Sequence, residues 1–338
     1  MLAFHGGTAG GAAAVVAPAG PGAAATGAGA RHDTTAGDAS VRHGAAAGDV
    51  FAWRGAAAGG AGAAGRVAQA CRSAENPGTA RTLGRAIQDA LSGRTGIESV
   101  AVYDRRRKIS CAVDAGRHYD SASVVKVTIL AALLRKAQEQ GRRLTSRERG
   151  LADKMIVRSD NAAASTLWNS VGRTRLNRFL KLAGMRNTTL GANGHWGLTQ
   201  ITASDELRLL KLLTSRNSVL TPASRRYVLD LMGRVIPEQR WGTPAGRPAG
   251  IRWHVKNGWL PRLGRYWRVH SVGTFDGRGQ DYMIVVLTQD SPTMEYGVQT
   301  IERVARVVHR NLNPGSGSVM GDPDVPWEAS DGSVPSDL

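Results

Sequence analysis

Several scarcities in this chain exclude whole classes of protein before any motif is sought. It has only two cysteines, Cys71 and Cys111, with no histidine at close spacing, which rules out a cysteine-dense scaffold and a structural zinc site. It contains no run of about 18 apolar residues, so no transmembrane helix is expected. Aromatic residues are 5% of the total, and no recognised base-reading motif occurs. A nucleic-acid-binding protein is therefore disfavoured, although 44 Lys and Arg stand against 27 Asp and Glu. No internal repeat is present, and the absence of a G-x-S-x-G elbow counts against a Ser-His-Asp hydrolase.

What is there is unevenly spread. Residues 1–70 contain 26 Ala and 16 Gly and carry +1. They lack the large apolar side chains that offset ordering entropy and show no Gly-X-Y period, so this region is expected to be a disordered tether or export region. Ala68-Gln69-Ala70 resembles a small-residue cleavage site, but no basic n-region precedes it and Arg54 and Arg66 interrupt the segment, so accidental small residues are the favoured reading. Residues 313–338 carry five carboxylates and no Lys or Arg, an acidic disordered tail of −5. The formal +17 thus conceals +21 between them, and residues 71–312 are expected to form the folded domain.

Within 71–312, Leu83, Ile87 and Leu91 mark an amphipathic helix ending near Gly93, and Glu98–Tyr103 with Lys108–Val113 read as a hairpin. Val124–Leu134 is almost continuously apolar, a helix buried on most sides, in which Lys126 is costly without a partner or a task. Thr145-Ser146-Arg147-Glu148 is a capping box opening another helix. Helical patterns follow at 162–170, 173–183, 203–213 and 223–232. Strands then return at 251–256, 266–275 and 282–288, and Val298, Ile301, Val304, Ala305 and Val308 form a closing helical stripe. Strands from both chain ends, separated by a helical block, predict an α+β domain: an antiparallel sheet covered by the terminal helices, with an all-α subdomain inserted.

Three short elements carry chemistry. Ser123-Val124-Val125-Lys126 sets a hydroxyl and an amine three residues apart on one helical face. A lysine can take the proton of a serine when burial disfavours its charged form, which makes the hydroxyl a nucleophile. Ser159-Asp160-Asn161, at the junction of two predicted helices, offers a hydroxyl to relay a proton and an amide to bind substrate, although such a tripeptide also serves simply as a helix N-cap. Lys256-Asn257-Gly258, on a predicted strand 97 residues after Ser159, joins an anion-binding cation to a backbone that can approach a ligand closely, or is an ordinary strand end.

Taken together and in this order, the three resemble S-x-x-K, S-D-N and K-T-G of serine β-lactamases and penicillin-binding enzymes. The stretch from Tyr119 to Asn161, with YDSASVVKVTILAALL and VRSDNAAA, is similar to the class A β-lactamase group, and the resemblance covers about 79–312. It implies that fold, no metal or cofactor, and a β-lactam or peptidoglycan-peptide substrate. It makes Ser123 the acylated nucleophile, Lys126 its base, Ser159 a proton shuttle, Asn161 a ligand of substrate and lysine, and Lys256 the anchor for a substrate carboxylate. The backbone N–H groups of Ser123 and Trp259 become the oxyanion hole, with Gly258 on the edge strand beside them.

Two departures bear on function. Asn257 stands where the family has Thr or Ser; an amide can still donate to a carboxylate, with different reach. The stretch Asn187–Thr199, where class A enzymes carry a water-activating glutamate, holds no acidic residue, and Glu206 falls inside the next helix. Acylation without efficient deacylation is expected, the behaviour of a penicillin-binding protein. His195 lies in that loop and is a candidate substitute base or simply exposed. A non-catalytic binding protein on the same fold remains a rival, distinguished by failing to form an adduct on Ser123. The basic core suits a secreted or cell-envelope protein drawn to anionic cell-wall polymers. Cys71 and Cys111 read as a disulfide or as two free thiols, and the extracytoplasmic reading favours the disulfide.

Overall fold

The computed structural model describes residues 69–262 and 266–317, so the Ala/Gly-rich region and the acidic tail lie, but for their inner ends, outside the described residues. Every helix and strand described falls between Cys71 and Leu312. One sheet organises them. Its six strands, β1 (Cys71–Arg72), β2 (Ile97–Asp104), β3 (Ile109–Val113), β6 (Arg252–Arg262), β7 (Tyr266–Gly277) and β8 (Gln280–Ser291), run in the order β1-β3-β2-β8-β7-β6. All neighbouring pairs are antiparallel. A second, two-stranded sheet pairs β4 (Tyr119–Asp120) with β5 (Gln200–Ile201). Two-residue strands such as β1, β4 and β5 are too short for period-2 patterning to reveal.

Alternation along the central strands splits the interior in two. Tyr282, Ile284 and Val286 of β8 face a core built with α1 (Pro77–Leu91) and α8 (Met294–Leu312). Met283, Val285 and Leu287 face a core built with the helical block. That block comprises α2 (Val125–Glu139), α3 (Ser146–Val157), α4 (Asn161–Val171), α5 (Arg173–Leu182), α6 (Ala203–Thr214) and α7 (Pro222–Gly233). The expected architecture, an antiparallel sheet between terminal helices and an inserted helical subdomain, is the one observed.

Helix α2 is the axis of the block: eleven of its fifteen residues are buried, so it lacks a polar stripe. Helix α3 starts with the full capping box, in which the Thr145 side chain accepts from Glu148 N and the Glu148 carboxylate accepts from Thr145 N. Cys71 and Cys111 are register partners on β1 and β3 and form a disulfide, closing the sheet's outer edge. Strand β6 forms the opposite edge, where Pro261 is tolerated because its missing N–H interrupts no inner ladder. Among the described residues no helix is long and apolar enough to cross a membrane.

Candidate active site

The three sequence elements converge where α2, the α3–α4 junction and edge strand β6 meet. Ser123 lies in the 3-10 turn Ala122–Val124 that leads into α2, and Lys126 is in the first turn of that helix; both are fully buried. The turn is strained, since Ala122 has φ +45°, a region a β-carbon disfavours. Between α3 and α4, Ser159 also takes a positive φ of +56°. Asp160 does act as the N-cap of α4, accepting from Ala163 N at 2.6 Å, and its two neighbours are thereby turned toward the lysine.

Lys126 Nζ is within hydrogen-bond distance of the Ser159 carbonyl at 2.7 Å, Ser159 Oγ at 3.0 Å and Asn161 Oδ1 at 2.6 Å. Lys256, buried in the middle of β6, approaches from the other side and donates to Ser159 Oγ at 3.0 Å and to the Asn257 carbonyl at 2.7 Å. One hydroxyl therefore accepts from two lysines. A serine oxygen has two lone pairs and one proton, so with both filled its O–H is left to donate elsewhere.

Gly258 shows why β6 can lie so close. A β-carbon on it would sit 2.8 Å from Ser123 N, 2.9 Å from Val124 N and 3.1 Å from the Ser121 carbonyl, all backbone atoms. Trp259 follows, its indole edge-on to Trp241 with ring centroids 6.0 Å apart. Asn257 departs from its expected use. Its Nδ2 donates to the carbonyls of Gln239 and Trp241, each at 3.0 Å, so the amide has no donor left for a substrate carboxylate. The segment 239–241 packs behind β6, and its carbonyls capture the side chain.

The loop lacking a glutamate is tightly held. Arg173 donates to the Gly191 and Leu190 carbonyls, and the Asp205 carboxylate accepts from Asn187 N and Thr188 Oγ1. Its far end reaches the nucleophile turn, where Ser121 N donates to the Thr199 carbonyl at 2.9 Å. Within this loop the side chain set against Lys126 is Trp196, not His195. The indole is almost fully buried, donates to Ser165 Oγ at 3.0 Å, and has Lys126 Nζ 4.8 Å from its ring centroid, a cation–π arrangement. His195 beside it is half-exposed. Sequence reasoning missed Trp196, because a tryptophan in a loop carries no periodic signal; its place directly after His195 was the available hint. Glu206 lies in the first turn of α6, fully buried, and neither carboxylate oxygen has a hydrogen-bond partner.

The family model described as the beta-lactamase enzyme family matches residues 141–312. A Mycobacterium tuberculosis (strain H37Rv) protein with the provisional name lipoprotein LppW is 25% identical over 223 residues, 63% of this chain and 69% of that protein. Among solved structures, a class A β-lactamase from Bacteroides cellulosilyticus aligns with a TM-score of 0.61 at 18% identity, over 69% of this chain and 98% of its own. The TLA-3 extended-spectrum β-lactamase aligns at 0.62 with 17% identity, over 68% and 98%. PBP-A aligns at 0.58 with 22% identity, over 68% and 95%. At such identities these structures share the fold with this chain.

Proposed function

The chain belongs to the β-lactamase enzyme family, and we propose that it is a serine hydrolase acylated at Ser123 by β-lactam or peptidoglycan-like amide substrates and slow to release the acyl group. The observation that carries this reading is the Ser159 hydroxyl held between Lys126 and Lys256. In the proposed reaction, Lys126 in its neutral form takes the Ser123 proton as Oγ attacks the amide carbonyl. The negative charge that develops on the carbonyl oxygen is met by the N–H groups of Ser123 and Trp259. When the C–N bond breaks, Ser159 donates its proton to the leaving nitrogen and is resupplied by Lys126, 3.0 Å away. Lys256 attracts a substrate carboxylate, and Asn161 Oδ1 keeps Lys126 oriented.

Release needs a base to activate water. The loop 187–199 supplies no carboxylate, and the indole of Trp196 lies against Lys126. Slow release is the consequence. The engagement of the Asn257 amide by backbone leaves the substrate carboxylate more dependent on Lys256. The disulfide and the lipoprotein name of the mycobacterial relative support an extracytoplasmic location, where a +21 domain is drawn to anionic cell-wall polymers.

Intact-protein mass spectrometry after incubation with benzylpenicillin tests the reading. A one-penicillin mass increase mapping to Ser123, absent from the Ser123→Ala protein, is expected. An unmodified wild-type protein, or equal labelling of the variant, would contradict it and favour a non-catalytic binding role.

A further inference from the structure

Two fully buried histidines, His270 and His309, take no part in the chemistry described above, and the first lies against the nucleophile turn. His270 sits in the middle of β7, fully buried and directly across from Gly258 of β6. Its two nitrogens have different partners. Thr288 N donates to Nδ1 at 3.3 Å, so Nδ1 must be the acceptor and Nε2 must carry the proton. Nε2 lies 2.8 Å from the carbonyl of Asp120, which it therefore reaches as a donor. Burial pushes the imidazole down to about 4, which keeps it neutral in this tautomer.

Asp120 is three residues before Ser123, and the stretch between them holds the strained Ala122. A residue at φ +45° persists only if its surroundings over-determine it. Three contacts do so. Ser121 N is held by the Thr199 carbonyl, the Asp120 carbonyl is held by His270, and Gly258 leaves just enough room for the backbone of the turn. The Asp120 side chain is fixed as well, by Gln200 Nε2 at 2.6 Å and by Arg262 and Arg268 at 3.2 and 3.7 Å. The ring of Tyr119 stands edge-on to the imidazole, with ring centroids 5.8 Å apart.

We propose that His270 is a positioning residue: its Nε2–H bond to the Asp120 carbonyl pins the strained turn so that Ser123 is presented beside Gly258 and Trp259. Without that bond the turn relaxes at Ala122 and the Ser123 N–H and Oγ leave their attack geometry. The effect falls on the bond-making step and not on substrate binding. This proposal rests on Ser123 being the acylated residue.

Two conservative variants separate the two ends of the ring. The amide nitrogen of His270→Gln occupies the reach of Nε2 and keeps the bond to Asp120. His270→Asn reaches only toward Thr288 and loses it. With benzylpenicillin as the probe, His270→Asn is expected to lower the limiting acylation rate by about 10 to 100 times at an unchanged half-saturating concentration, and His270→Gln to stay near wild type. Equal rates in the two variants, or a loss confined to the half-saturating concentration, would overturn the proposal. Amide hydrogen exchange provides a readout that needs no acylation. The Ser121 amide should exchange faster in His270→Asn than in His270→Gln, and equal exchange likewise overturns the bracing role. A wild-type protein that forms no penicillin adduct would sink the hydrolase reading, while the exchange comparison still decides the brace.

Discussion

Lys126 and Glu206 are both fully buried and both lie in the first turn of a long helix, yet their surroundings treat them in opposite ways. Lys126 is surrounded by three acceptor oxygens and an indole face. Glu206 has no hydrogen-bond partner for either oxygen, and burial, with nearby Asp205 adding to it, pushes its carboxyl up to about 8. The first is held among oxygens that themselves belong to the proposed reaction path. The second is carried as a neutral acid, at a cost in stability that no ligand offsets. The two buried groups thus differ in whether polar neighbours have been arranged around them.

Lys126→Met should reduce penicillin acylation by about a thousandfold or more, since it removes the base, while thermal unfolding shows a folded protein. Near-normal acylation would mean that Lys126 is a structural cation. A region remote from both groups tests whether stability and chemistry are separable. Replacing Cys71 and Cys111 with alanine opens a bridge across 40 residues, which should cost about 4 kcal/mol by denaturant titration and leave acylation unchanged.

Glu206→Met sharpens the contrast from the other side. A carboxyl raised from its ordinary 4.5 to about 8 supports the fold below pH 4.5, and that support is lost as pH rises through 8. At pH 7 the variant should therefore be more stable by on the order of 3 kcal/mol, with little gain at pH 4 and unaltered acylation. His270 and His309 slope the opposite way. Burial lowers each to about 4, so stability present above pH 6.5 is lost as pH falls toward 4. The stability maximum measured by thermal unfolding should shift to higher pH in Glu206→Met; an unshifted maximum would show that Glu206 is solvated. The smallest effect expected is at Thr145→Ala, which opens the capping box of α3 for about 1 kcal/mol and touches neither buried group.

Much of this was legible in the chain. Ser123-x-x-Lys126, Ser159-Asp160-Asn161 and Lys256-Asn257-Gly258 stood out as candidates by residue type and order, and the fold brings them together; the apolar run around Lys126 already set it inside the protein. Glu206 was read only as lying inside the next helix, although it shares one helical face with Ala203, Leu210 and Leu213. What stayed hidden depends on contacts between distant segments. Asn257 is drawn to carbonyls 16 and 18 residues away, and His270 reaches a carbonyl 150 residues earlier. Neither leaves a local pattern. The strain at Ala122 is equally invisible, since nothing in the letters Ser-Ala-Ser announces a positive φ.

On the proposed reading a covalent intermediate forms on Ser123 and outlasts its formation, because the loop 187–199 supplies no carboxylate to activate water. Labelling the full-length protein with a fluorescent penicillin, removing the excess and following the protein-bound signal tests this directly. The label is expected to form on Ser123 and to persist for many times the interval needed to form it. Loss of the label as quickly as it forms, with many penicillins hydrolysed per protein, would contradict it.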